Sequence, residues 1–208
     1  MNFYSAYFVV LIRQQIMRTK DEAKEQLILD TALRLIMQTG LAGLKMSELA
    51  KEAGVATGTV YIYFADKPDL ITRLYAYLLR KSLSDLNAGI EASDPLRVKI
   101  QKITRNYLDD NLNNPAYTAF FEQYYRSPYY VLSDGLRAEE TTVMQPVYDL
   151  IVAGQQQMII KDANPDLLLT LVCGMLDELA KQAHFTGQSV SDSDWDITFS
   201  VIWDGVKR

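Results

Sequence analysis

Residues 47–70 constrain the fold more than any other stretch, because they fit two short helices joined by a tight turn. Leu49, Ala50 and Ala53 share one face at helical spacing. Gly54 follows at once, at a position where a residue with positive φ can end the helix. The small side chains of Ala50 and Ala53 would let a second helix cross closely. This arrangement predicts a helix-turn-helix, in which the second helix enters the DNA major groove.

The second helix of the pair has one apolar face and one polar face. Val60 and Phe64, four residues apart, form the apolar face, and helical geometry places Gly58 and Ile62 on the opposite side. Hydroxyl groups on that side can bond phosphate oxygens or base edges, and apolar groups can meet a thymine methyl. We expect DNA contacts from Lys45, Ser47, Thr57, Gly58, Thr59, Tyr61, Ile62, Tyr63 and Lys67.

A gapless motif within this stretch carries a family resemblance. It consists of Ala53-Gly54-Val55, Gly58-Thr59-Val60-Tyr61-Ile62-Tyr63-Phe64, Lys67 and Leu70. From about Ala32 to Leu70 the chain resembles the TetR family of bacterial transcriptional regulators. It departs from the family pattern at Ala56, where serine or threonine is usual, so we expect Thr57 to cap the second helix. It departs again at Ser47-Glu48, where a basic residue or threonine is common.

The resemblance and the helical patterns together predict an all-α fold with about nine or ten helices. An N-terminal three-helix helix-turn-helix domain would be followed by a C-terminal helical domain for ligand binding and dimerisation. We expect an extension over residues 1–20, the DNA-binding domain over 21–66 and the effector and dimerisation domain over 67–208. A helix over 21–39 would end at Gly40, and a long helix from Lys67 to about Ile90 would connect the two domains and transmit a ligand signal.

Prolines preceded by capping side chains predict further helix starts. Asp94, Asn114, Ser127 and Asn164 each stand directly before a proline, so we expect helices from about 95, 115, 128 and 165. Pro146 lies inside the helical stretch Leu136–Met158 and should kink it. Ser193 is expected to cap a last helix from about Asp194 to Val206.

The first twenty residues are unusual for this kind of chain. The apolar run Ala6–Ile12 is too short to span a bilayer, and it lacks the basic segment and cleavage site of a signal peptide. We expect translation to begin at Met17. The alternative is an N-terminal arm that reaches the DNA minor groove or packs on a neighbour.

Composition narrows the classes of function. The net charge is −5, while residues 1–70 hold eight basic and eight acidic side chains. An acidic total argues against a nonspecific coat on nucleic acid. A single cysteine, Cys173, forbids an intrachain disulfide and fits a reducing cytoplasm. With one histidine, His184, and no phosphate-binding glycine loop, we expect no catalytic residues, no metal site, no cofactor and no membrane partner.

Residues 107–130 contain eight aromatic side chains. They could simply fill a core, or they could line a cavity for an apolar or cationic small molecule. The resemblance implies an effector site in the helical body and raises the second possibility. Glu122 or Asp149 could pair with a cation, although a solvated carboxylate is the ordinary fate of each. The candidate effector-binding residues are Tyr107, Phe120, Phe121, Tyr124, Met144 and Tyr148.

The last two helices, near 165–186 and 194–206, are apolar on more than one side. One side can face the chain's own core, and the other then requires a partner. The family resemblance implies a homodimer, and twofold symmetry predicts a palindromic operator. We interpret Cys173 as a packing residue rather than a redox sensor. The candidate dimer-interface residues are Leu168, Val172, Met175, Leu179, Ile202 and Trp203.

The leading hypothesis is a homodimeric repressor that a small-molecule effector releases from double-stranded operator DNA. A DNA-bound regulator controlled by a protein partner, without a small ligand, is a second possibility. An all-helical enzyme is a third, but the absence of cofactor motifs argues against it. A fourth possibility is that the helical pair packs in a core and never touches DNA. In that case Thr59, Tyr61 and Tyr63 would be exposed without a structural reason.

Overall fold

The computed structural model describes the backbone of residues 3–130 and 134–208 and the side chains of residues 21–130 and 140–208. Within these residues the regular structure consists of nine α-helices, and a single isolated β-bridge joins Ile160 to Lys207. The predicted all-α fold with about nine or ten helices is confirmed. The helices are α1 (Phe3–Gly43), α2 (Met46–Glu52), α3 (Thr57–Tyr63), α4 (Lys67–Ser82), α5 (Leu96–Asn113), α6 (Pro115–Tyr125), α7 (Asp134–Gln156), α8 (Pro165–Thr186) and α9 (Asp192–Val206).

Helix α1 is longer than the sequence pattern predicted. It begins at Phe3 rather than at Asp21. Its regular geometry is interrupted at Gly40, where φ is 71° and ψ is 167°, so the predicted helix end there is a real break in the backbone. Leu27 of this helix is 49% exposed, whereas the adjacent Ile28 is fully buried. The hypothesis of a start at Met17 concerns residues whose side chains lie outside the described part of the chain.

Helix α4 begins directly after a reciprocal cap. The Oδ1 atom of Asp66 accepts a 2.8 Å hydrogen bond from the N–H of Asp69, and Oδ2 of Asp69 accepts one of 2.8 Å from the N–H of Ala65. Such pairs satisfy N–H groups that the first helical turn leaves without partners. The helix ends at Ser82, so the prediction of one continuous helix to about Ile90 is wrong.

The connection between α4 and α5 consists of turns that α5 side chains hold in place. Nζ of Lys99 donates to the carbonyl of Ala92 at 2.7 Å, and Nζ of Lys102 donates to the carbonyl of Gly89 at 2.7 Å. The amide of Asn106 donates to two further carbonyls of the same segment at 2.9 and 3.0 Å. These backbone acceptors are therefore satisfied without a helix, which sequence periodicity alone could not reveal.

Several of the proline-based predictions are confirmed. Helix α6 begins at Pro115. Helix α8 begins at Pro165, and Asn164 caps it by accepting a hydrogen bond from the backbone N–H two residues on. Helix α5 begins at Leu96, one residue beyond the predicted position, and no side chain caps it. Pro146 lies inside α7, as predicted.

Two other predicted helix starts are wrong. Pro128 opens no helix, because Ser127 begins a turn in which its carbonyl accepts from a backbone N–H three residues on. Helix α9 is capped by Ser191 rather than Ser193. Asp194 completes a capping box with Ser191, so the correct cap has an acidic partner three residues later.

The chain divides into two compact units. The first comprises Met1–Tyr77 and Gln123–Tyr130, and the second comprises Leu78–Glu122 and Val131–Arg208. Helices α4 and α6 each contribute residues to both units. Among the helices that the structure describes, none has the combination of length and hydropathy needed to cross a membrane.

Each unit has its own apolar core. In the first unit, helices α1 to α4 each bury apolar side chains, and Ile28, Leu49, Val60 and Leu74 are examples that are fully buried. In the second unit, α5, α7, α8 and α9 contribute two clusters of buried side chains. The first cluster consists of Leu86, Ile103, Val147, Ile151, Ile160 and Leu168. The second cluster consists of Leu108, Leu176, Ala180, Trp195, Phe199 and Ile202.

Candidate DNA-binding surface and ligand cavity

Helix α3 is fixed in the first unit by contacts on two sides. Val60 and Phe64, the predicted buried face, are each 0% exposed. Arg73 of α4 donates to the backbone carbonyl of Tyr63 and forms a 2.7 Å ion pair with Glu25 of α1. The guanidinium of Arg73 also lies 5.1 Å from the centre of the Phe64 ring. These contacts hold the end of α3 against α1 and α4, so its outer face is presented in a defined orientation.

The outer face of α3 is open to solvent. Ile62 is 79% exposed and Tyr61 is 51% exposed. Thr57 and Gly58 are exposed, and a Cβ added at Gly58 would meet no atom within 4 Å. Thr59 lies at the margin and is half-buried. The outer face of α3 therefore presents the aliphatic side chain of Ile62 and the hydroxyl groups of Thr57 and Tyr61 to solvent. Gly58 leaves room for another molecule to approach the backbone.

Three of the predicted contact residues lie at or near the starts of the two short helices. Lys45 occupies the N-cap of α2, Ser47 follows it on the first turn, and Thr57 is the first residue of α3; all three are exposed. The prediction that Thr57 caps α3 is wrong. Ala56 is the N-cap and makes no side-chain bond, so the first N–H groups of α3 receive no side-chain cap.

Tyr63 and Lys67 already have protein partners. The Tyr63 hydroxyl donates to Oδ1 of Asp21 at 2.9 Å. Nζ of Lys67 donates to the carbonyl of Ala42 at 3.0 Å and lies 5.9 Å from the ring centre of Tyr129. Each would reach a phosphate only by giving up or sharing these contacts, which makes them weaker candidates than Tyr61.

The predicted aromatic cluster is split between the two units. Tyr124 is 0% exposed and stacks on Tyr75 in the first unit, with ring centres 4.5 Å apart. The hydroxyls of Tyr75 and Tyr125 lie 2.9 Å apart, and Tyr130 packs edge-on against Tyr124. Tyr124 therefore fills the core of the first unit, and its predicted role in effector binding has no support from this position.

An apolar cavity of about 80 Å³ lies inside the second unit. Because a water molecule needs roughly 10–15 Å³ of such space, the cavity has room for several atoms of a ligand. Its walls come from α5, α7, α8 and α9 and from the segment after α4. The lining residues are Leu83, Leu86, Ile100, Ile103, Thr104, Tyr107, Met144, Val147, Leu150, Ile151, Ile160, Leu168, Leu169, Val172, Cys173, Leu176, Ile202 and Val206.

Polar groups reach the cavity wall at only three of these residues, and no lining residue is charged. The hydroxyl of Thr104 is turned back to the carbonyl of Ile100 at 2.7 Å. The hydroxyl of Tyr107 donates to Oδ1 of Asp177 at 2.8 Å. Burial raises the pKa of the Cys173 thiol to about 11, so Cys173 contributes a neutral thiol.

A hydrogen-bonded group lies behind Tyr107. Oδ1 of Asp177 also accepts a 3.1 Å bond from the amide of Asn111, whose own Oδ1 accepts from Thr118 at 2.8 Å. Burial raises the pKa of Asp177 and raises that of Tyr107 well above its usual value. Asp177 is therefore already engaged by two donors and is not a free counter-charge for a cation.

The predicted effector residues separate into two groups. Tyr107 and Met144 line the cavity. Phe120 is 0% exposed and packs edge-on against Phe121, and neither lines the cavity. Their role in effector binding stays a prediction. Tyr148 also lies outside the lining. Its hydroxyl donates a hydrogen bond to Asp166, and that bond raises its pKa to about 12.

A second surface in this unit is apolar and exposed on the last two helices. Leu167 and Leu171 of α8 are 53% and 56% exposed, and Ile197 and Val201 of α9 are 62% and 56% exposed. Met175 is 38% exposed and is the predicted dimer residue that this surface contains. We call these five residues the outer apolar face. Exposed apolar stripes of this kind mark interaction surfaces.

The other predicted dimer residues lie elsewhere. Leu168 and Ile202 are buried in the unit's own core, so the single chain leaves little of either side chain for a partner to contact. Val172 lines the cavity, and Leu179 and Trp203 pack against the core of the unit. The sequence indicated two apolar sides without showing which one faces inward. Residue spacing could not separate the two sides, because the inward-facing Leu168, Val172 and Leu176 repeat every four residues just as Leu167 and Leu171 do.

An N-terminal helix-turn-helix and a helical unit with an internal cavity define the class of ligand-responsive DNA-binding proteins. The sequence profile described as "Bacterial regulatory proteins, tetR family" matches residues 28–74. The profile described as "Tetracyclin repressor-like, C-terminal domain" matches residues 95–207, more than half of the chain. The chain belongs to the TetR family of bacterial regulatory proteins.

Individual relatives agree with this assignment. The HTH-type transcriptional regulator AcrR of Shigella flexneri is 41% identical over 86 residues, which cover 39% of this chain and 40% of AcrR. A TetR family regulator from Marinobacter aquaeolei VT8 superposes with a TM-score of 0.82 at 20% identity, over 91% of this chain and 98% of that one. FadR of Bacillus subtilis, solved in complex with stearoyl-CoA, gives a TM-score of 0.66 at 19% identity, over 86% and 98% of the chains.

Proposed function

We propose that this chain is a homodimeric transcriptional regulator that binds a palindromic operator through α3. The observation that carries the proposal is the exposed face of α3, where Ile62 and Tyr61 stand in solvent while Val60 is fully buried. An exposed isoleucine and threonine methyls suit thymine methyl groups, and hydroxyls suit phosphates and base edges. The domain of residues 21–66 would supply the DNA contacts and residues 67–208 the effector and partner contacts. The compartment is then the cytoplasm, where the chromosome is.

We further propose that an apolar small molecule in the cavity controls DNA affinity, most simply by releasing a repressor. The uncharged lining supports an apolar ligand over a cation. FadR, of the same fold, was solved with stearoyl-CoA, and this supports a ligand with an apolar chain. The effector acts only if it binds the DNA-bound and free forms with different affinity. Helix α4, which contributes to both units, is the covalent route for that coupling.

The outer apolar face supports the homodimer. Each copy contributes part of α8 and α9, and twofold symmetry brings the same residues of two copies together. Phe185, 94% exposed near the end of α8, extends the surface. Two recognition helices then address two half-sites, which is why the operator is expected to be palindromic.

The test is binding of the purified protein to the DNA flanking its own gene, by fluorescence anisotropy, with competitor DNA present and at two salt concentrations. We expect salt-sensitive binding that survives competition. Tyr61→Ala should weaken it, while Met158→Ala, which truncates an even more exposed side chain of the second unit, should not. Specific binding that is the same for both variants and the parent would exclude α3 as the reading helix.

A further inference from the structure

A second, more polar pocket adjoins the apolar cavity. It has a volume of about 240 Å³ and lies between the turns after α4, helix α5 and helix α7. Ile103 and Leu150 line both the pocket and the cavity, so these two side chains form a shared wall. The other lining residues of the pocket are Asn87, Ile90, Glu91, Ala92, Lys99 and Pro146.

The pocket has one half-buried cation at its rim. Lys99 donates a single hydrogen bond, to the carbonyl of Ala92 at 2.7 Å, so its ammonium keeps two donors. The neighbouring Lys102 forms a 2.7 Å ion pair with Asp94, and Lys99 lies far enough from that carboxylate to make no ion pair but still helps to lower its pKa. Among the described residues, no carboxylate forms an ion pair with Lys99. Glu91 also lines the pocket, but its side chain is exposed and solvated, so the less screened charge at this site is the positive one.

We propose that cavity and pocket together bind a single-chain amphiphile with an anionic head group. The tail occupies the uncharged cavity beyond Ile103 and Leu150, and the head group accepts hydrogen bonds from Lys99. The inference rests on the proposed effector function of the cavity and deepens it by naming the ligand class. A ligand with only an alkyl tail would leave the polar pocket empty. A cationic head group would be repelled by the ammonium of Lys99.

Entry of such a ligand requires the shared wall to open. Ile103 belongs to the buried core but also lines the pocket, and Leu150 is half-buried. On the rim, side chains rather than helical bonds hold the turns after α4, through Lys99 and Lys102. A head group that takes over donors of Lys99 therefore acts on the same segment that closes the pocket.

The test uses three probes that share a ten-carbon tail: decanoate, decanol and decyltrimethylammonium. Affinity is measured by calorimetry, and occupancy of the cavity by protection of Cys173, the chain's only cysteine, from alkylation. We expect decanoate to bind best, and Lys99→Gln to weaken it about tenfold while decanol is unaffected. Lys99→Arg should retain the preference, and Lys24→Gln, which removes the same charge from exposed α1, should change nothing.

The outcomes separate the two levels of the proposal. Protection of Cys173 by decanol and decanoate with equal affinity, independent of residue 99, would overturn the head-group site and leave the apolar effector cavity standing. Failure of every probe to protect Cys173 would overturn the cavity as a ligand site and the head-group site with it. Preferential binding of decyltrimethylammonium would overturn the anionic assignment directly.

Discussion

The Tyr107 hydroxyl of α5 donates a 2.8 Å hydrogen bond to Oδ1 of Asp177 of α8, directly behind the wall of the apolar cavity. The same oxygen accepts from Asn111, so two donors of α5 converge on one carboxylate of α8. This bond occupies the hydroxyl of Tyr107, which is one of the three polar groups on the cavity wall.

Tyr107→Phe should destabilise the protein by about 2 kcal/mol, because a hydrogen bond to a charged acceptor is lost in a partly buried site. The measurement is urea unfolding at neutral pH. Tyr129→Phe, which alters a half-buried tyrosine of the first unit, is the control and should cost less than about 0.5 kcal/mol. Equal decreases in the unfolding free energy of both variants would show that the hydrogen bond to Asp177 does not stabilise the fold.

Asp177 should make stability fall as pH rises through its own titration. Burial raises its pKa in the folded protein, so between the unfolded and folded pKa values the native state binds more protons than the unfolded state. Its contribution is therefore most favourable below the unfolded pKa and is lost as pH rises through the folded pKa. The other groups around it, namely Tyr107, Asn111, Cys173, Lys181 and Glu122, remain in the variant described next.

Asp177→Asn keeps an acceptor for Tyr107 and removes the charge. The difference in unfolding free energy between this variant and the parent should shift in favour of the variant from about pH 3 upward. Asp162→Asn, at an exposed position, is the control and should show no such trend. A difference that is flat across the acidic range would contradict the raised pKa.

Cys173 should react slowly with alkylating reagents at pH 8. Its pKa of about 11 lies two units above the ordinary value of 9.0, so the reactive thiolate is about a hundredfold scarcer than in an unperturbed thiol. The rate, followed by mass spectrometry with glutathione as the reference, should climb steadily towards pH 11. A rate at pH 8 equal to that of glutathione would mean that the thiol is not shielded by the core.

The sequence predicted the DNA-binding half more accurately than the effector half, for a physical reason. The buried positions of α3, Val60 and Phe64, follow from local spacing, because a seven-residue helix against a turn has few ways to pack. Even there, the cap of α3 was misassigned, since the true N-cap is an alanine without a side-chain acceptor.

In the effector half, composition could not decide which partner each aromatic residue meets. Tyr107 and Tyr124 belong to one aromatic-rich stretch, yet Tyr107 lines the cavity of the second unit and Tyr124 stacks in the first. The chain passes from the second unit to the first within α6, so Tyr107 on α5 and Tyr124 near the end of α6 belong to different units. Likewise, Leu168 and Leu171 are both leucines of α8, and only the packing of α5 against α8 selects which one is buried.

Ile62→Ala should affect DNA binding but not stability, whereas Val60→Ala should lower stability. Ile62 is 79% exposed, so its truncation should change the unfolding free energy by less than about 0.5 kcal/mol while altering DNA affinity or sequence preference. Val60 is fully buried, and its truncation should cost about 2 kcal/mol. Thermal unfolding and DNA anisotropy on the same samples separate the two. Unchanged DNA binding in a folded Ile62→Ala variant would remove Ile62 from the interface.

The outer apolar face gives the final prediction. Leu171 is 56% exposed on the single chain, so Leu171→Lys should leave the fold intact, but in a dimer it would bury an unpaired charge on each side of the twofold axis. We expect a monomer by sedimentation or light scattering at concentrations where the parent is a dimer. Its operator affinity should be at least about tenfold weaker, because each recognition helix then binds its half-site alone.

The matched control is Met158→Lys, which adds the same charge at a position that is 68% exposed and follows α7, away from the outer apolar face. It should remain dimeric and bind DNA as the parent does. If Leu171→Lys stays dimeric as well, α8 and α9 do not form the interface, because a lysine at the centre of this apolar surface cannot be accommodated twice without loss of association. Circular dichroism of both variants distinguishes that result from unfolding, since a folded monomer keeps the helical signal of the parent.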